Sequence, residues 1–112
     1  MSEDAETFPA EVLRIEASQD RTGTTITLAG EFDMTGTDRF GAFVNDALAA
    51  DPRAIIVDGS GLEFVDSSGL LALLRARDAA VAAGVTFAIH HPSPALRRII
   101  ELGGLAELLA PE

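Results

Sequence analysis

Two adjacent hydroxyls, Ser67 and Ser68, stand between Asp66 and Gly69 where a polar turn opens a strongly apolar run. Serines at a helix start have a plain structural use. One accepts a backbone N–H, an interaction worth about 1 kcal/mol. They also sit where free helix N–H groups can meet an anion, so one of them can be used chemically. A capping role needs one serine, not two. His90 and His91 are candidate bases for Ser67 in a hydrolase. Adjacent histidines before a proline read better as loop residues, and no G-x-S-x-G elbow is present. Asp33, Asp58 and Asp66 form the pattern of an acidic metal pocket, but turn and cap aspartates are the simpler reading.

Composition removes further chemistries. All eight cations are arginine, and no lysine occurs. A Walker A loop, a Schiff base, a protein-kinase ATP site and a receiver-type phospho-aspartate site all want a lysine. Gly59-x-Gly61 without one is therefore no phosphate loop. The absence of cysteine removes thiolate metal sites, thiol nucleophiles and disulfides, and fits a reducing compartment. A net charge of −10 opposes direct binding to nucleic acid or to an anionic membrane surface. No apolar run reaches the roughly 20 residues of a membrane span, and the N-terminus lacks a signal-peptide apolar region. The expectation is a cytoplasmic protein with no cofactor of its own.

The elements that must position Ser67 follow from periodicity. Residues 1–10 read as a flexible acidic tail and residues 11–110 as one domain, the usual outcome for 112 residues with 47% hydrophobic content. Val12–Ile15 reads as an edge strand, Asp20–Gly23 as a turn and Thr24–Ala29 as its hairpin partner. Thr35 or Thr37 is expected to cap a helix whose apolar stripe is Phe40, Phe43, Val44, Ala47 and Leu48, stopped by Asp51-Pro52. Ala54–Val57 is expected as a central strand buried on both faces and ending at Asp58, with a short loop after it. A helix follows from about Ser68 to Ala83, with Gly84 as its left-handed cap and Val85–His90 as a further parallel strand. Ser93-Pro94 starts a last helix, Gly103-Gly104 ends it, and Leu105–Leu109 adds a short turn or an edge strand.

Between Val57 and Leu74 the chain resembles the STAS domains of the anti-sigma factor antagonist family. The shared hallmark is a strand ending in Asp58, the link Leu62–Val65, then Asp66-Ser67-Ser68-Gly69 opening a helix. Gly30-Glu31-Phe32-Asp33 is similar to the family's Gly-Glu-Leu-Asp, and Ser93–Arg98 with Gly103-Gly104-Leu105 to its last helix and turn. The resemblance implies an α/β fold, a small mixed sheet of about four to five strands with helices on one face. It also implies a switch. A partner anti-sigma factor serine kinase, which brings the ATP, phosphorylates Ser67. The unphosphorylated form binds that kinase and releases a sigma factor, and a serine phosphatase acting on phospho-Ser67 restores binding. The expected partner surface comprises Asp33, Asp66, Ser67, Ser68 and Gly69, with Ser68 structural and Gly69 leaving room for the partner. The chain departs from the family at Asp58-Gly59-Ser60-Gly61, where many members are bulkier, which implies a looser loop. The alternatives are a STAS subunit of a transporter or stress-signalling assembly and a small serine hydrolase.

Overall fold

Period-two alternation becomes a buried and an open face. The computed structural model describes residues 12–109, so the expected acidic tail at 1–10 lies outside the described residues. Strands β1 (Leu13–Asp20) and β2 (Gly23–Phe32) form an antiparallel hairpin across Arg21-Thr22. Helix α1 (Thr37–Ala49) leads to β3 (Ala54–Val65), parallel to β2. Helix α2 (Ser67–Ala82) leads to β4 (Thr86–His90), parallel to β3. Helix α3 (Pro94–Leu102) follows, and the sheet order is β1-β2-β3-β4.

The helices lie on one face of this open, mixed, four-stranded sheet. Ile26, Leu28, Ile55, Val57 and Ile89 from the strands share one core with Val44, Leu73 and Ile100 from the three helices. The opposite face carries the rows Thr25–Ile56–Ala88 and Thr27–Asp58–His90, all exposed or half-buried. Ala54–Val57 is thus covered on one face only, contrary to the expectation of burial on both. Both crossover helices pack on the same side, so an apolar run here marks a central strand whose outer face keeps half-exposed Ala54 and Ile56.

The strand also does not stop at Asp58. It runs to Val65 because two register shifts against β2, between Thr27 and Ala29 and between Gly30 and Glu31, take up extra β3 residues as bulges. At the first bulge the Asp58 carboxylate accepts the Ser60 N–H at 3.0 Å. The glycines tighten this segment instead of loosening it. A Cβ on Gly59 would come within 2.4 Å of Leu96 Cδ2, and one on Gly61 within 2.8 Å of the Ala29 Cβ. The termini of the last elements follow the sequence closely. Gly84 has φ 74°, Ser93 Oγ accepts the Leu96 N–H at 3.1 Å with Pro94 beside it, and Leu109 bridges to Ile89 after a short 3-10 turn at Ala106–Leu108.

Candidate functional site

The carboxyl ends of β2 and β3 meet at one point. The Asp66 N–H donates to the Phe32 carbonyl at 3.2 Å, so the residues that follow the two strands, Asp33 and Asp66, and with them Ser67, are brought to the same end of the sheet. Glycine at position 69 is what lets α2 start this close. A Cβ there would lie 2.6 Å from the Phe32 carbonyl oxygen and 3.0 Å from Val65 Cγ1. Gly69 is buried. It therefore serves the close approach of helix to strand and does not leave open ground for a partner, as its place in the motif had implied.

The cap of α2 is Asp66, whose Oδ1 accepts the Gly69 N–H at 3.1 Å. Neither serine does this work, and the helix begins at Ser67, one residue earlier than expected. Ser67 is exposed, Ser68 is half-buried, and neither hydroxyl makes a hydrogen bond among the described residues. The capping explanation for the two serines is thereby removed, and Ser67 is left with a solvent-facing hydroxyl at the positive end of a helix. Asp66→Ala should cost about 1 kcal/mol through the lost cap. Ser67→Ala should cost almost nothing. Urea titrations of the two variants check the pair.

Asp33 plays the corresponding part on the β2 side. Its carboxylate accepts the Thr35 N–H at 2.9 Å and the Thr35 hydroxyl at 2.5 Å, closing a 3-10 turn at Met34–Gly36. Thr35 is thus the donor to a cap, and α1 itself has Gly36 at its N-cap with no side-chain bond, so neither Thr35 nor Thr37 caps that helix. The Thr35 hydroxyl, then its N–H, holds the Asp33 carboxyl below the ordinary aspartate value. A lowered folded-state pKa stabilises the fold above the ordinary aspartate value, and that contribution disappears as pH falls through the lowered one. Thr35→Val should move the Asp33 carboxyl titration upward, read from its side-chain carbon shift by NMR. Asp20-x-Thr22 and Asp58-x-Ser60 make the same turn. That recurrence is the sequence signal that identifies Thr35.

The other candidate groups do not reach Ser67. Asp58 and His90 share a register level with Thr27, five residues before the end of β2 at Phe32, a separation of about 17 Å along the strand. Neither histidine hydrogen-bonds Ser67, and His91 follows the end of β4 in left-handed backbone at φ 52°. Asp58 is likewise apart from Asp33 and Asp66, and no metal-holding group of three or more His, Cys, Asp or Glu occurs among the described residues. Among those residues no helix is long and apolar enough to cross a membrane.

A family model described as "Mlab, STAS domain" matches residues 15–110. No curated protein matches. An anti-sigma factor antagonist from Mycobacterium paratuberculosis is 25% identical with TM-score 0.76, covering 87% of this chain and 82% of its own. The anti-sigma factor antagonist SpoIIAA in its unphosphorylated form is 29% identical with TM-score 0.68, covering 88% and 85%. The Bacillus SpoIIAA has also been solved phosphorylated, at 25% identity and TM-score 0.68, covering 88% of each chain. A sulfate transporter family protein from Wolinella succinogenes, 20% identical with TM-score 0.66 over 77% of this chain and 70% of its own, shares the fold.

Proposed function

The chain belongs to the STAS domain family, and from that premise we propose that it is a phosphorylation-switched anti-sigma factor antagonist. Its unphosphorylated form binds an anti-sigma factor serine kinase at the Ser67 end of the sheet and frees a sigma factor. Phosphorylation of Ser67 by that kinase, using the kinase's ATP, ends binding, and a serine phosphatase restores it. The domain acts in the cytoplasm as a binding module, with no catalysis, nucleic-acid contact or membrane contact of its own.

The observation that supports this reading is the exposed Ser67 hydroxyl at the first residue of α2, relieved of capping by Asp66. A relative of the same fold exists in a phosphorylated form. A phosphate adds about −1.5 to −2 charges at pH 7. The helix N-terminus attracts it by roughly 0.3–1 kcal/mol, while Asp66 and Asp33 repel it. The ion pairs among the described residues join Arg77 to Asp78 and Glu107 and Arg97 to Glu101, and none of them engages Asp33 or Asp66. The domain therefore has little reason to rearrange, and the effect falls on the partner.

The alternative is a STAS subunit of a transporter or larger assembly, a reading favoured by the fold shared with the Wolinella protein. Pull-downs from lysate of the source organism, with wild type and Ser67→Asp as baits, separate the two. A small kinase-like protein retained by wild type and lost with Ser67→Asp supports the switch. The same membrane or multi-subunit complex on both baits supports the alternative.

A further inference from the structure

Six large hydrophobic residues are exposed among the described residues, and four of them belong to the end of the sheet that carries Ser67: Met34 after β2, Leu71 on α2, and Val12 and Phe64 on the helix-free face. Met34, 73% exposed, lies one residue beyond Asp33. Leu71, 45% exposed, stands one helical turn from Ser67 on the same face of α2. Phe64 is opposite Glu31 in the β2–β3 register, and the Val12 carbonyl accepts the Glu31 N–H at 2.8 Å. Of the remaining two, Val81 sits at the far end of α2, and Leu102 ends α3 next to Gly103, where a Cβ would lie 3.6 Å from Leu70 in the first turn of α2. Solvent-exposed apolar side chains gathered at one place mark an interaction surface.

Charge decides what covers them. Glu31 and Glu63 are exposed around the cluster, and Asp33 and Asp66 are half-buried within it. None of these four carboxylates is in an ion pair among the described residues. The exposed cations nearby are Arg14 and Arg75, the latter one turn beyond Leu71 on α2, so carboxylates outnumber them, and Arg39 is committed to the Leu13 carbonyl at 2.9 Å. A second copy docking through the same patch would set acid against acid in a self-complementary contact. An anionic lipid surface would meet the same repulsion.

We propose that Met34 and Leu71, flanked by Phe64 and Val12, anchor the partner through an apolar centre, and that the partner's rim is rich in arginine or lysine. This rests on the reading under Proposed function and names the chemistry of that same surface. The apolar anchors supply affinity, and the carboxylate ring supplies orientation and association rate.

The probe is each serine kinase of anti-sigma type encoded in the source genome, purified and measured singly by surface plasmon resonance at low and high salt. Met34→Ser and Leu71→Ser should each weaken binding about tenfold or more, through faster dissociation. Glu31→Gln combined with Glu63→Gln should slow association and flatten its salt dependence. Val81→Ser should bind as wild type does. A kinase that binds Met34→Ser and Leu71→Ser as tightly as wild type, yet loses Ser67→Asp, overturns the docking surface and leaves the switch standing. If no kinase binds the wild type, the switch reading fails and the surface falls with it. A dimer in sedimentation that Leu71→Ser dissolves also overturns the proposal, in favour of a second copy.

Discussion

Phe32→Ala should lower the stability of this domain by about 3–5 kcal/mol, the largest loss expected from one side chain. The Phe32 ring is fully buried and meets Phe40 edge-on with centroids 5.2 Å apart. Truncation leaves a cavity under α1 that its neighbours fill only in part. Against a total of about 5–15 kcal/mol for a natural domain, the loss is a large share. The melting temperature should fall by more than about 10 °C. Phe32→Leu keeps most of the volume and should cost less than about 1.5 kcal/mol. Urea unfolding checks both, with a lower midpoint and an unchanged slope. The consequence extends to the site, since the Phe32 carbonyl receives the Asp66 N–H and the ring lies 3.0 Å from where a Gly69 Cβ would be. Core and site thus share one residue, and amide shifts of Asp66–Gly69 should move in Phe32→Ala more than in any surface variant.

Ser67→Asp should weaken binding of the partner kinase by at least about a hundredfold while leaving the fold unchanged. Two opposed terms set that number. A rim cation on the partner attracts a new carboxylate at this end by about 1 kcal/mol or less in solvent. Desolvating a charge at the apolar centre beside Leu71 costs several kcal/mol. The second term wins, and a phosphate, with more charge and bulk, should act more strongly. Since Ser67 caps nothing, Ser67→Asp should keep the wild-type melting temperature to within about 0.5 kcal/mol of stability. That separation of binding from folding is checked by isothermal calorimetry beside thermal unfolding.

The parts of this fold that announce themselves are governed by neighbours in sequence. Ser93-Pro94 starts α3 and Gly84 follows α2 because their cap geometry is decided within a turn. The hairpin across Arg21-Thr22 and the parallel β3–α2–β4 unit follow from local alternation and short joins. What stays hidden depends on distant residues. Asp58, Gly59, Ser60 and Gly61 break the apolar run, so the local pattern ends β3 there. Only pairing with β2 carries it on to Val65 through two bulges. Aspartate and serine are both good N-caps, so residue types leave the choice between Asp66 and Ser67 open, and geometry assigns Asp66. The need for glycine at 69 comes from a carbonyl on Phe32, far back in the chain. Leu70, Leu71, Leu73 and Leu74 give a helix apolar on nearly every side, from which periodicity cannot tell that Leu73 is buried and Leu71 faces solvent.

The central claim, that Ser67 is the phosphate acceptor of a binding switch, is tested most directly by phosphate transfer in vitro. Purified partner kinase and ATP are mixed with wild type, Ser67→Ala and Ser68→Ala, and the products are mapped by intact and peptide mass spectrometry. The expected result is one phosphate on Ser67, retained in Ser68→Ala, absent in Ser67→Ala, and accompanied by release of the kinase. Phosphate on Ser68, or a kinase that holds the phosphorylated and unphosphorylated forms equally well, would contradict it.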